Sequence, residues 1–282
     1  MAIDQARLLD ASLRPVEHRI TPRDVILYNL GIGAGAAGVD ADLRYVWETQ
    51  LQAFPTFASV LAMDVSWLRD PTMGVTWTRM VHGEEDVEWL RPIPVSGVIM
   101  GQGSVEDLID KGPGRGAVLK LLRTLTDGEG QILARVRSSI FLTKDGGFGG
   151  RNPPSPSRPA PPTRAADVSV VFETRPEQAL IYRLSGDDYP LHVDPETARQ
   201  SGFPRPILHG LATYGFAARA VVQGGLSSDA SALRRLSCRF VAPVYPGDMI
   251  TTELWITARD TIAFKASVGD RTVIDNGLAT MN

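Results

Sequence analysis

Cysteine is nearly missing from this chain. Cys238 stands alone, which excludes an intramolecular disulfide and any cysteine-cluster metal site. Set in the alternating run Leu236-Ser237-Cys238-Arg239-Phe240, it is expected to be a small buried strand residue. No apolar run approaches the ~20 residues that cross a bilayer, so no membrane span is expected. The opening MAIDQARLLDASLRPVEH lacks the charged start, apolar middle and small-residue cleavage site of a secretory leader. The closing Thr280-Met281-Asn282 is not a peroxisomal address, and a cytoplasmic location is the expectation. A formal net charge of −3 over 282 residues leaves no general cation excess for a nucleic-acid partner. Histidine is scarce as well: there are 4, and His192 and His209 fall in one short segment.

What is present is ample apolar material. Hydrophobic residues make up 43% and charged residues 22%, ordinary for a soluble globular protein with a large core. One break in composition divides the chain. RNPPSPSRPAPPTR, from Arg151 to Arg164, holds 6 of the 20 prolines. That density blocks helix and sheet ladders and favours a semi-rigid spacer. The expected organisation is therefore a domain over 1–150, a Pro-rich linker over 151–165 and a second domain over 166–282. Gly146-Gly147-Phe148-Gly149-Gly150 reads as a flexible lead-in or as a close backbone approach.

The second half opens with the strand-like Asp167–Thr174, and a further strand is expected around Ala179–Leu184. Asp194-Pro195-Glu196 reads as N-cap, first-turn proline and first-turn acid of a helix stopped at Gly202. A helix over about Leu208–Gly224 carries Arg219 as its one charge and is rich in small residues, so it must be covered on every face. Strand patterns follow from Arg234, with tight turns at Pro246-Gly247-Asp248 and Gly269-Asp270, as in an antiparallel meander. The first half is compatible with the same plan. A helix broken near Pro55 is expected within Tyr45–Leu61, and strands near Val95–Met100, Ala117–Thr124 and Ile132–Leu142. The fold class is α+β, a buried helix wrapped by a curved antiparallel sheet, with the plan duplicated.

Gly33-Ala34-Gly35-Ala36-Ala37-Gly38 matches the dinucleotide fingerprint. That motif needs a strand before it, for which Val25–Leu30 is the candidate, and a helix with a parallel strand and an acid beyond. No such return follows Gly38, and the run is read as a small-residue turn.

Chemistry is expected between Tyr182 and Phe216. Asp187 follows Ser185-Gly186, and Pro190 fixes the loop that carries His192. An acid and an imidazole so placed can hold one water between them and move its protons; each residue taken alone also suits a loop or cap. Gly210 opens the apolar helix, where N–H groups lack intrahelical partners and the dipole is positive. A glycine there lets a carbonyl oxygen approach, which suits an oxyanion hole. Tyr189, Pro190, His209 and Arg205 are the candidate substrate-binding residues, with packing or capping as the other reading of His209.

These residues carry a resemblance. Tyr-Arg-Leu-Ser-Gly-Asp-Asp-Tyr-Pro-Leu-His-Val-Asp-Pro, from Tyr182, is similar to the hydratase-2 motif of MaoC-like (R)-specific enoyl-CoA hydratases. Pro206-Ile-Leu-His-Gly-Leu-Ala-Thr-Tyr-Gly-Phe resembles that family's central-helix entry, and Phe240-Val-Ala-Pro-Val-Tyr-Pro-Gly-Asp its next strand and turn. Tyr28-Asn-Leu-Gly-Ile-Gly, Phe54-Pro-Thr-Phe, Val81-His-Gly-Glu, Asp110-Lys-Gly and the glycines of 146–150 extend the likeness through the first half. The resemblance implies two hotdog domains, each a curved sheet around a central helix. It also implies reversible, metal-free hydration of a trans-2-enoyl-CoA to a (3R)-3-hydroxyacyl-CoA, with CoA thioester as substrate and no cofactor. Asp187 and His192 match the catalytic pair and Gly210 the enolate-stabilising donor. The N-terminal hotdog, which lacks an Asp-x-x-x-x-His loop here, would widen the acyl pocket for a long, branched or sterol-like group. Hotdog sheets usually associate edge to edge, so a homodimer is expected, although two hotdogs in one chain can already satisfy that contact.

One position departs from the family. Asparagine stands two residues after the motif aspartate; here it is Tyr189. The phenol either replaces the amide's hydrogen bond, swings away as packing, or impairs water binding. Two rival activities are weighed: a hotdog thioesterase, which lacks its usual carboxylate on Leu208–Val222, and a non-catalytic acyl-CoA or acyl-carrier binding subunit. Arg199, Arg205, Arg234 and Arg235 are candidates for CoA phosphates.

Overall fold

Ten strands lie edge to edge in one antiparallel sheet. The computed structural model describes residues 3–36, 39–154, 160–225 and 229–281. The strands are β1 (Val16–Ile20), β2 (Met80–Trp89), β3 (Gly97–Asp110), β4 (Ala117–Thr126), β5 (Ile132–Leu142), β6 (Val168–Glu173), β7 (Leu233–Phe240), β8 (Met249–Ala258), β9 (Thr261–Val268) and β10 (Arg271–Met281). Their spatial order is β1-β3-β4-β5-β2-β7-β10-β9-β8-β6. Read inward from either edge, each half uses its first, third, fourth, fifth and second strand, so the duplicated plan is present in the connectivity. The halves meet where β2 pairs with β7, with Glu85 opposite Cys238 and Val87 opposite Leu236. Cys238 is buried there.

The helices are α1 (Gln5–Leu9), α2 (Pro22–Gly31), α3 (Val39–Val46), α4 (Gln178–Tyr182), α5 (Pro195–Gln200) and α6 (Gly210–Gly225). Every residue of α6 from Leu211 to Val222 is buried, as its all-round apolarity requires. The second-half strands β6–β9 curve around it. Its far side meets the first half: a Cβ at Gly215 would lie 2.3 Å from Ile32 Cγ2, so glycine is needed for that approach. Arg219, buried on α6, donates to Asp42 Oδ2 at 2.7 Å and to Ile32 O at 3.2 Å. Among the described residues no helix is long and apolar enough to cross a membrane.

Three sequence expectations need correction. Ala179–Leu184 is not a strand but α4 followed by a 3-10 turn over Arg183–Ser185. Ala179 and Tyr182 are buried three residues apart, and Gln178 Nε2 donates to Leu30 O and Gly31 O at 2.8 and 2.7 Å. The run therefore caps the C-terminal end of α2, a role that alternation does not disclose. Val25–Leu30 belongs to α2, which starts at a Thr21/Asp24 capping box with Pro22 at its first turn. The glycine run after it is a turn, as expected: Gly33 and Gly35 have φ of 83° and 77°, and Gly35 N–H donates to Asp42 Oδ2 at 2.8 Å. Gly38 lies outside the described residues.

The third correction shapes the site. In the first half the place of α6 is taken by a 5-residue 3-10 turn, Pro55–Ser59. Phe54, held extended at φ −66° and ψ 135°, shows why: a residue before proline is kept out of the helical region. The concave face of β2–β5 is thus left without a long helix. The glycines of 146–150 make a close backbone approach, and the partner is this chain's own Asp110. Its carboxylate accepts from the N–H of Gly112, Gly147, Gly149 and Gly150.

Candidate active site

Gly186, at φ 119°, turns the chain out of the 3-10 turn after α4 and delivers Asp187. Pro190 opens a second 3-10 turn, Pro190–His192, and Asp194 then caps α5 by accepting from Glu196 N and Thr197 N. His192 is held inside by this turn. Its Nδ1 bonds Ile207 O at 2.9 Å. A carbonyl only accepts, so Nδ1 carries the proton and the neutral ring leaves Nε2 bare. Burial pushes the His192 pKa below its usual 6.5, against the opposing pull of Asp187 and the Ile207 carbonyl.

His209 lies against His192, ring centroids 3.7 Å apart and planes at 23°. Its Nε2 donates to the Asp187 carbonyl at 3.1 Å, while buried Nδ1 has no partner among the described residues. Burial, and next the neighbouring His192, push its pKa well below 6.5. One donor atom each from Asp187, His192 and His209 lies within 4.8 Å of the others. The stacked rings nevertheless keep their lone pairs in near-parallel planes, and one nitrogen of each is committed to a carbonyl. The trio is poorly shaped to converge on a cation.

A cavity of about 510 Å³ joins this loop to the first half of the chain. Asp187, His192 and Gly210 line it from one side, and Trp77, His82 and Arg123 from the other. Gly210 is the first residue of α6; the bonds of the helix start later, with Thr213 N–H on His209 O at 3.1 Å. A Cβ on Gly210 would sit 3.7 Å from the Phe240 ring and 3.9 Å from His82 Cβ. Protein neighbours therefore do not demand glycine; the space it leaves belongs to the cavity.

Tyr189 lines the cavity too, its ring edge-on to His192 at 6.4 Å, but its hydroxyl is engaged at the rim. The hydroxyl donates to Thr78 O at 3.3 Å, and the ring meets Trp77 edge-on at 6.3 Å. Of the three outcomes open for Tyr189, packing against the rim is the one adopted. Pro190, His209 and Arg205, the other expected substrate contacts, do not line the cavity. Pro190 sets the turn, and His209 stands behind His192. Arg205 donates to Pro246 O at 3.0 Å and lies over the Tyr245 ring. Arg199 pairs with Glu196 and Arg235 with Asp86, while Arg234 donates to Trp89 O.

Sequence reading missed Arg69, Trp77 and Arg123 as cavity residues and gave His82 no role. For Arg123 a signal existed. It falls in phase with Leu119, Leu121 and Leu125 of β4, a cation at a position that alternation assigns to the inward face.

Residues 18–144 match the model of the MFE-2 hydratase 2 N-terminal domain, and residues 156–277 that of the MaoC like domain. Enoyl-CoA hydratase ChsH3 of Mycobacterium tuberculosis is 39% identical over 284 residues, covering 99% of this chain and 98% of its own. The chain belongs to the MaoC-like hydratase 2 family. A crystal structure of a MaoC-like dehydratase from Phytophthora capsici superposes with a TM-score of 0.84 at 30% identity, covering 98% of each chain. A Mycobacterium tuberculosis protein, Rv0216, described as having a double hotdog fold, aligns at a TM-score of 0.59 and 15% identity, covering 94% of this chain and 93% of its own. That likeness shows the fold alone. The double hotdog expected for this hydratase 2 relative is the fold observed, with its first central helix shortened to the turn at Pro55–Ser59.

Proposed function

We propose that this chain hydrates trans-2-enoyl-CoA reversibly to (3R)-3-hydroxyacyl-CoA, with Asp187 and His192 as the catalytic pair and Gly210 as the oxyanion donor. The observation that carries the roles is a neutral, buried His192 with Nε2 bare, beside Asp187 and across from an unbonded helix N-terminus. A water held by the pair gives its proton to His192 Nε2 as its oxygen attacks C3. The double-bond electrons move to C2 and the thioester oxygen, where the Gly210 N–H and the positive end of α6 stabilise the enolate. A proton returned to C2 from the same face completes a syn addition. No metal or other cofactor enters the scheme.

The opening of the cavity into the first half supports a long, branched or sterol-like acyl group. A cytoplasmic location and a homodimer belong to the same reading. A second copy would meet the chain elsewhere than at the β2–β7 joint, which the halves use on each other.

The test is loss of enoyl-thioester absorbance with crotonyl-, decenoyl- and a sterol-side-chain enoyl-CoA. Turnover is expected to give 3R product, to vanish in Asp187→Asn and to fall by at least roughly tenfold in Gly210→Ala, whose Cβ enters the oxyanion space. Free CoA release would establish the thioesterase instead. Binding without turnover would establish an acyl-CoA binding subunit.

A further inference from the structure

We infer that the first-half end of the cavity is a subsite for an oxygen substituent on the acyl group, with the Arg123 guanidinium as its donor. This rests on the hydratase reading for the word acyl, but the observations are independent of the reaction. Arg123 stands on the inward face of β4, directly opposite Val136 on β5, in a wall it shares with Leu121, Val136, Ser138 and Ile140. Room for its stem comes from β3: the place of a Cβ on Gly101 lies 3.4 Å from Arg123 Cδ. The guanidinium is anchored by Nη2, which donates to Ser59 O at 2.6 Å and Ala58 O at 3.4 Å. These carbonyls end the short turn that replaces a central helix in this half.

The anchor uses one nitrogen of three. Nε is enclosed and without a partner, and among the described residues Nη1 makes no hydrogen bond and no carboxylate forms an ion pair with Arg123. Burial lowers its pKa to about 10, so the group remains a cation at neutral pH. An enclosed cation with unused donors is costly unless something pairs with it. A carbonyl cap needs only one N–H group; Nη1 is left for a ligand in the cavity that Arg123 lines.

The surroundings narrow the chemistry. Glu85 approaches closely enough to oppose the pKa fall. Its Oε2 is already taken by His82 Nε2 at 2.8 Å and Ser138 Oγ at 2.6 Å. That contact occupies both polar neighbours through Oε2. Glu85 Oε1 is buried without a hydrogen-bond partner among the described residues, so Glu85 offsets the Arg123 charge through space while Nη1 stays a free donor on this wall. The complementary group is a hydrogen-bond-accepting oxygen, carried by a neutral hydroxyl or oxo group or by a carboxylate. β4 lies two strands from β2, and Arg123 is level with Val87, five residues along β2 from the His82 that flanks Gly210; the two offsets together come to roughly 16 Å between backbones. The oxygen therefore belongs on a distal part of a medium-length or ring-bearing acyl group, not next to the thioester.

The experiment compares kcat/KM for dec-2-enoyl-CoA, its 10-hydroxy derivative and the 10-carboxylate in the unmodified protein, Arg123→Met and Arg123→Lys. At least a tenfold preference for one oxygenated substrate is expected. Arg123→Met should abolish it while keeping or raising turnover of the plain chain, and Arg123→Lys should retain part of it. The ranking of hydroxyl against carboxylate separates the neutral from the anionic source. Equal kcat/KM on all three substrates, or a uniform loss in Arg123→Met, would reduce Arg123 to a cap of the turn. Thermal shifts of the unmodified protein with decanoyl-CoA and 10-hydroxy- and 10-carboxydecanoyl-CoA serve as the second measurement. They need neither turnover nor a folded variant, and equal shifts would overturn the subsite. Failure of the hydratase reading would appear separately, as no turnover of dec-2-enoyl-CoA in the unmodified protein.

Discussion

His192 and His209 stack face to face at 3.7 Å, and each fastens a different carbonyl of the same site. His192 holds Ile207 O ahead of α6, and His209 holds the Asp187 carbonyl. The acid, the imidazole and the helix entry are thereby locked together by two rings that both favour neutrality.

A pH dependence follows from that neutrality. In the proposed scheme hydration needs unprotonated His192, whose pKa burial lowers, so kcat/KM is expected to stay level through neutral pH and to fall only below 6.5. Stability should move in the same direction. Below pH 6.5 the unfolded chain takes up protons on both histidines while the native state resists, so stability is lost as pH falls, by up to about 1.4 kcal/mol per unit for each. His209→Phe keeps a ring in the stack but removes one titration and the bond to Asp187 O. It should flatten the pH slope of urea unfolding between 6.5 and 5.5 and lower kcat/KM by about five- to tenfold. An unchanged slope would show that His209 does not resist protonation.

Tyr189 occupies the position of the family asparagine, yet its hydroxyl bonds Thr78 O at a half-exposed rim. Tyr189→Phe is expected to hold kcat within about twofold, since one exposed hydrogen bond contributes little. Tyr189→Asn should keep or raise the hydration rate. A large loss in either variant would identify the phenol as an adopted catalytic group, and steady-state kinetics on crotonyl-CoA decides the matter.

Arg219 and Asp42 tie α6 to α3 through a pair with side-chain exposures of 6% and 14%. Breaking such a pair strands one charge, so Arg219→Met should cost about 3–5 kcal/mol in chemical unfolding. Adding Asp42→Leu to it should recover part of that loss, because no lone charge remains. A single-variant cost below about 1 kcal/mol would show that solvent reaches the pair freely.

Local chemistry was legible wherever it was complete within a few residues. The Asp194-Pro195-Glu196 start of α5, the turns at Gly247 and Gly269 and the alternation of β6 to β10 need no distant partner to be read. The order of Asp187, His192 and Gly210 along the chain likewise pointed to three residues that line one cavity. Ala179–Tyr182 and Val25–Leu30 were misread because a short apolar run suits strand or helix equally, and contacts between α2 and α4 decided between them. Sequence by itself determined that this is a duplicated α+β protein with one proton-handling loop beside one buried helix, since periodicity, caps and motif spacing are local properties. Only the tertiary structure decided that the Tyr189 hydroxyl turns to Thr78 O, that His209 backs His192, and that Arg123 stands inside the cavity. Those outcomes rest on packing between the two halves, where residues far apart in the chain compete for the same enclosed space.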